Sequence, residues 1–199
     1  MESKNVQISI EHLSKSFGEE TVLNDLSLTL SSGCAYGLMA PSGAGKTTFF
    51  RILMGLETPD SGVIRGLAGL RISAVFQEDR LLEQETALQN LRFVTGRSYS
   101  VQELYGLLLR LLPADSLDKP VREFSGGMKR RTSILRALLA PSDLILMDEP
   151  FTGLDRVTRE TAIALIKEYT KKKIFLFSTH SEEEIRLFHG ELLSFPALR

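Results

Sequence analysis

The residues best suited to chemistry form a run of nine: Ala40, Pro41, Ser42, Gly43, Ala44, Gly45, Lys46, Thr47 and Thr48. The small members, Ser42 to Gly45, let a backbone wrap closely around a polyphosphate and turn its N–H groups inward. A helix opening at the end of the run adds unpaired amides and a partial positive charge. Lys46 is then placed to reach β- and γ-phosphates, and the Thr47 hydroxyl to ligate Mg2+. An apolar run, Tyr36 to Met39, precedes the loop, and a helix-like pattern, Phe49 to Met54, follows it. That strand–loop–helix setting distinguishes a phosphate loop from a chance Gly-rich turn.

A second chemical element lies far downstream. Leu144 to Met147 is a short apolar run that ends in Asp148 and Glu149. Open α/β sheets bind ligands at the carboxyl ends of their strands. Asp148 is therefore assigned to the metal, and Glu149 to polarising the water that attacks the γ-phosphate. Gln77 follows the apolar run Ile72 to Phe76, and its amide oxygen is available to the metal or to the attacking water. His180 follows Ile174 to Phe177 and the pair Ser178 and Thr179, where an imidazole can bridge the γ-phosphate and the catalytic carboxylate. His12 and His189 have no comparable setting.

These residues need strands and helices to hold them. Val6, Ile8 and Ile10 alternate with polar residues as in a half-buried strand, and Leu26, Leu28 and Leu30 do the same. Gly18 to Glu20 reads as the turn between them. Gly55 and the stretch Thr58 to Gly62 end the first helix and begin another strand-turn segment. From about Glu85 to Leu112 the pattern is helical, with Leu88, Leu91 and Phe93 in one stretch and Leu104, Leu107, Leu108, Leu111 and Leu112 in a second. Pro113 and Pro120 bracket a linker. Ser125 opens a helix that runs to about Ala140, and Val157 to Tyr169 is helical, with Lys171 to Lys173 as cations at its C-terminus. Strands alternating with helices predict a mainly parallel α/β core.

The chain has 199 residues and 43% hydrophobic content, enough for one domain with a sizeable core. Its 24 Lys and Arg against 25 Asp and Glu give a net charge of −1, which lends no support to a nucleic-acid footprint. Cys34, the single cysteine, cannot form an internal disulfide, as suits a reducing compartment, and its apolar surroundings predict a small core residue. The start carries no apolar leader pattern, and no stretch is long enough to span a bilayer, so a membrane role requires a separate partner. Lys129, Arg130 and Arg131 read as a solvated basic helix start beside a phosphate site; aromatic interleaving of the nucleic-acid-binding kind is absent.

The string that decides the family is Phe124-Ser-Gly-Gly-Met-Lys-Arg-Arg131. Ser125, Gly126 and Gly127 form another helix N-terminus, a second phosphate-binding surface that a simple phosphate-loop enzyme does not need. The string resembles the signature of ATP-binding cassette (ABC) ATPases, usually Leu-Ser-Gly-Gly-Gln followed by a basic helix. The resemblance covers nearly the whole chain, in the family's motif order. Phe17 looks like the aromatic that stacks on adenine, and Ala40 to Thr48 like the Walker A loop. Gln77 looks like the Q-loop, Asp148 and Glu149 like Walker B with its catalytic acid, Phe151 to Asp155 like the D-loop, and His180 like the switch histidine. The departures are Phe124 for Leu, Met128 and Arg130 for Gln, Ala40 for the first loop Gly, and Thr152-Gly-Leu-Asp155 for Ser-Ala-Leu-Asp.

The resemblance implies a phosphate-loop NTPase core with an N-terminal antiparallel β subdomain and an inserted α-helical subdomain. All belong to one domain over 1–199, with core residues 1–77 and 125–199 and a helical subdomain at about 78–124. It implies ATP and Mg2+ as cofactors, with Thr47, Gln77 and Asp148 at the metal. It also implies a homodimer or a heterodimer with a second cassette, in which Ser125, Gly126, Gly127 and Asp155 cap the nucleotide held by the opposite subunit. A transmembrane permease, and through it a solute-binding protein, completes the partners at the cytoplasmic face of the membrane, with no nucleic acid. The Asp148-Glu-Pro-Phe151 run and the Gly-Gly-Met signature resemble importer ATPases, especially the nitrate, sulfonate and thiamine-precursor group. The short tail after His180 predicts that a regulatory C-terminal domain is missing. The alternative is a non-transport ABC ATPase acting on DNA or ribosomes. Against it, roughly 47 residues separate Gln77 from Ser125, with no heptads for the long coiled coil of the repair enzymes. A binding module switched by nucleotide is disfavoured by the presence of Glu149.

Overall fold

The computed structural model describes residues 6–41 and 43–194. Two sheets build the molecule. β1 (Gln7–Phe17), β2 (Glu20–Ser31) and β4 (Ser61–Arg65) form an antiparallel sheet in the order β2-β1-β4. Its alternating apolar residues, Ile8, Ile10, Leu26 and Leu30, point into the core, as period-2 patterning requires. Gly18 to Glu20 is the predicted turn.

The second sheet contains β5 (Ile72–Val75), β6 (Leu144–Met147), β7 (Ile174–Ser178), β3 (Ala35–Met39) and β8 (Glu191–Ser194), in that order. Every pairing in it is parallel. β6 and β7 are buried on both faces and read as unbroken apolar runs, which is what a covered parallel sheet demands. The register sets Val75 beside Met147, Met147 beside Phe177, and Ser178 beside Leu38. The carboxyl ends of four strands therefore meet along one edge. This register gathers the phosphate loop after β3, Gln77 after β5, Asp148 after β6 and His180 after β7.

Among the described residues six α-helices cover these sheets. α1 (Lys46–Leu53) starts at Gly45, whose φ of 83° lies in the left-handed region. A Cβ there would stand 2.2 Å from the Val22 carbonyl oxygen, so the loop can press against β2 only with glycine. The expected helical block divides into α2 (Ala87–Thr95) and α3 (Val101–Leu109). Each opens on a capping box, Thr86 with Gln89 and Ser100 with Glu103, and Gly96 ends the first at φ 57°. α4 (Gly126–Leu139) and α5 (Arg156–Thr170) follow. α6 (Glu182–Leu187) and β8 were not anticipated, because neither is long enough to display a period. α2, α3 and α4 share one core with β6 and β7 through Leu91, Leu104, Leu108, Leu135 and Phe177.

Two sequence expectations fail here, for Cys34 and for the basic start of α4, and one apolar residue of the helical pattern faces outward. Cys34 is exposed rather than part of the core, because it lies in the bend before β3 where the backbone turns at Gly33. Phe93 is 74% exposed; Leu91, two positions earlier and so on another side of α2, is the residue that faces inward. The basic start of α4 is not solvated: Arg130 is buried and Arg131 partly so, both donating to backbone carbonyls.

Candidate functional site

Gly43, Gly45, Lys46, Thr47, Thr48, Gln77, Asp148 and Glu149 line one cleft of about 280 Å3. Lys46 is almost fully buried, and its ammonium donates to the carbonyls of Ala40 (2.6 Å) and Pro41 (3.0 Å). Those bonds hold the loop's entry strand against the first turn of α1. Ser42 lies outside the described residues; Ala44 closes a turn by donating to the Pro41 carbonyl (3.2 Å).

The carboxylates are set by the strand ends. The Thr47 hydroxyl donates to Asp148 Oδ2 (3.0 Å) across a sequence separation of 101. The Ser178 hydroxyl donates to the other oxygen, Oδ1 (2.6 Å), and accepts from the Glu149 backbone N–H (2.8 Å). Asp148 is thus buried with both oxygens satisfied, as a buried charge must be. Glu149 has φ 47°, an uncommon conformation for a residue with a side chain. The Ser178 bond fixes that strained residue in place, a pattern that clusters at functional sites. Glu149 Oε1 stands 2.9 Å from His180 Nε2, with the imidazole more than half exposed and the carboxylate mostly covered. Thr179, one position earlier, is buried and donates to Glu184, which also pairs with Arg159 at 3.5 Å. Beneath this edge Phe151, Phe177 and Phe188 pack at centroid distances of 5.1–6.4 Å, a rigid support.

The donor set fits Mg2+. Thr47 Oγ1 and Asp148 Oδ2 are hard oxygen donors side by side, the chemistry Mg2+ takes when phosphates and waters complete its octahedron. Among the described residues no group of three or more His, Cys, Asp or Glu could hold a metal by itself.

The remaining predicted residues lie outside the cleft lining. Phe17 ends β1 with 48% of its surface exposed, and Lys15 sits 5.1 Å from its ring centroid, held there by Glu57 and Asp60. Ser125 caps α4 by accepting from the Met128 N–H (3.3 Å) and is exposed with Gly126. A Cβ on Gly127 would lie 3.3 Å from the Gly153 carbonyl, so the glycine pair and the Thr152–Asp155 turn are neighbours. Asp155 caps α5, accepting from the Thr158 N–H (3.0 Å) and hydroxyl (2.6 Å), and these bonds hold its carboxyl below the usual range. Two residues escaped the sequence reading. Ser178 carries no assigned role in the sequence, and Arg130 reads there as surface charge. Only the proximity of β6 to β7, and of α4 to β5, reveals their contacts.

The family described as ABC transporter matches residues 23–152. The chain is 35% identical to Nod factor export ATP-binding protein I of Ralstonia nicotianae, over 93% of this chain and 63% of that protein. It is 38% identical to the protein of the same name from Paraburkholderia xenovorans, over 92% and 66%. The chain thus spans less than two thirds of the length of these relatives, and the expected lack of a C-terminal domain draws no support from them. Among solved structures, the dimeric post-hydrolysis state of the ATP-binding cassette MJ0796 bound to ADP and Pi superposes with a TM-score of 0.80, at 25% identity and 94% coverage of both chains.

Proposed function

The chain belongs to the ABC transporter family, and on that premise we propose that it hydrolyses ATP as the nucleotide-binding part of a two-cassette machine coupled to a membrane permease. The observation that carries this reading is one edge with three parts: a buried lysine in a phosphate loop, a Thr47–Asp148 oxygen pair, and a Glu149–His180 pair 2.9 Å long. Bound Mg2+ would neutralise charge on the β- and γ-phosphates. Thr47 and Asp148 would hold it, with Gln77 at the metal or at the attacking water. Glu149 orients and polarises that water, and His180 holds the Glu149 carboxylate and reaches the γ-phosphate. Lys46 exchanges its two carbonyl partners for phosphate oxygens. Phe17 offers an exposed ring face to adenine, with Lys15 against the ring.

The exposed N-terminus of α4 at Ser125, Gly126 and Gly127 is the surface that would cap the nucleotide of a second cassette, with Asp155 nearby. Closure would exclude water and complete the site. A homodimer and a pair with a related cassette are both compatible with these surfaces. The lobe at about residues 78–124 and the Gln77 loop are the parts that would meet the permease. No helix among the described residues is long and apolar enough to cross a membrane. The relatives are named export proteins, which favours outward movement over the import suggested by the signature. Nothing favours the nucleic-acid or ribosomal alternative.

Glu149→Gln is the test. ATP binding by calorimetry is expected to stay within a few-fold of wild type, while turnover falls by about 100-fold or more, the scale of losing a general base. Equal turnover in mutant and wild type would remove Glu149 from the reaction.

A further inference from the structure

α4 touches the nucleotide edge at two places, and the second is unexpected. Its N-terminus carries the Ser125, Gly126 and Gly127 cap. One turn later, the Arg130 guanidinium donates to the carbonyls of Phe76 (2.5 Å) and Gln77 (2.7 Å), with the side chain 9% exposed. Two consecutive carbonyls gripped by one planar fork fix the orientation of the peptide units on either side of Gln77, and hence the direction in which its side chain leaves the backbone. A Gln, the family's usual residue here, offers one neutral amide in place of that fork.

The surrounding contacts make the grip stiff. Asp79 Oδ1 lies 3.4 Å from Arg130 Nη1, an ion-pair distance without hydrogen-bond alignment, so this buried oxygen has no hydrogen-bond partner. The Asp79 carbonyl accepts from the Ser133 hydroxyl (2.6 Å) and from Arg136 (3.3 Å), one and two turns further along α4. Arg80 stacks over the Phe76 ring at 4.0 Å. On the other side the Asp148 N–H donates to the Val75 carbonyl (2.8 Å), tying the end of β5 to the metal-side carboxylate. The segment 75–79 is thus held between α4 and the Asp148 strand.

We propose that Arg130 is a positioning residue that transmits displacement of the α4 cap to Gln77, so that closure on the second nucleotide sets Gln77 against the metal or water. This rests on the role of Gln77 in the reading above and deepens it. Arg130 itself touches no reacting atom. It acts by holding backbone, and it does so at the one loop whose side chain enters the cleft from the β5 side.

The experiment is a double-mutant cycle on the full chain with its partner subunits. ATP turnover is measured against ATP and against Mg2+ for Arg130→Ala, Arg130→Lys, Gln77→Ala and the combinations. Nucleotide affinity is expected to change less than roughly twofold, because the phosphate loop is untouched, while kcat falls on the order of tenfold in Arg130→Ala and half-saturating Mg2+ rises. On the Gln77→Ala background the same substitution is expected to cost less than about twofold, since the side chain it positions is gone. Arg130→Lys keeps the charge without the fork and is expected to fall between; if Arg130→Ala does not fold, the cycle is run with Lys. Losses that multiply, as a general loss of structure would give, overturn the proposal, as do wild-type kcat and Mg2+ dependence in Arg130→Ala. If Gln77→Ala itself turns over at the wild-type rate, the role of Gln77 is wrong, and the Arg130 proposal falls with it.

Discussion

Ser178→Ala deletes one oxygen atom and breaks two bonds at the centre of the site. The hydroxyl is fully buried; it donates to Asp148 Oδ1 (2.6 Å) and accepts from the Glu149 N–H (2.8 Å). Losing a hydrogen bond to a buried carboxylate costs about 1.5–3 kcal/mol, and a buried N–H left without a partner costs about 1–3 kcal/mol. Glu149 is partly exposed, so water can reach part of the vacated space, and the net destabilisation is set at about 2–4 kcal/mol. For a chain of 199 residues each kcal/mol corresponds to roughly 2–4 °C, so Tm is expected to fall by about 4–16 °C. Turnover should fall too, because Glu149 at φ 47° loses the bond that holds it and the distance to His180 is no longer defined. Differential scanning calorimetry without nucleotide gives the first quantity and steady-state phosphate release the second. Ser178→Thr, which keeps the hydroxyl, is the control for the polar contact. A Tm within about 1 °C of wild type together with unchanged kcat would refute the view that this hydroxyl ties the Asp148 carboxylate to the Glu149 backbone.

Three further substitutions test the frame around the site. Gly45→Ala and Gly43→Ala place the same methyl at the same φ of 83°, but only at Gly45 does it meet backbone, 2.2 Å from the Val22 carbonyl. Gly43→Ala is expected to cost about 1–2 kcal/mol in urea unfolding, and Gly45→Ala more than about 3 kcal/mol with loss of nucleotide binding; equal costs would contradict the packing of loop on β2. Asp143 accepts from the Arg71 side chain and N–H at the start of β5, and these bonds hold its carboxyl below the usual range. A depressed carboxylate contributes stability above its unfolded pKa of about 3.9 and loses that contribution as pH falls through the folded value. Asp143→Asn is therefore expected to be less stable than wild type by up to about 1 kcal/mol near neutral pH, the screened value for an accessible pair, with the gap closing as pH falls below the unfolded value and through the lowered folded one. A gap that persists or widens in acid would contradict that assignment.

Much of the site could be read in advance because its residues sit in local patterns. Lys46 follows small residues and precedes an apolar helix, and Asp148 and Glu149 terminate an apolar run, so strand–loop–helix reasoning finds them without tertiary information. The Ser125, Gly126 and Gly127 cap is likewise local. Where the reading failed, the cause was environment. Cys34 and Phe93 carry apolar side chains, yet one occupies a surface bend and the other the outer side of α2. Arg130 and Arg131 carry the most polar side chains and are covered, because carbonyls of Phe76, Gln77, Gly127 and Leu111 surround them.

The sequence alone determined which groups are available: a phosphate loop, two carboxylates at a strand end, a histidine after another strand, and a second glycine-rich helix start. These follow from residue type and short-range spacing, which govern backbone conformation and hydrogen-bonding capacity within a few residues. The tertiary structure decided which groups meet. Thr47 reaches Asp148, Ser178 bridges Asp148 and Glu149, and Arg130 holds Gln77 only because parallel pairing stacks β5, β6, β7 and β3 in one register and lays α4 across the end of β5. Contacts across 29 to 101 residues are fixed by how sheet and helices pack, and no local pattern in the chain encodes them.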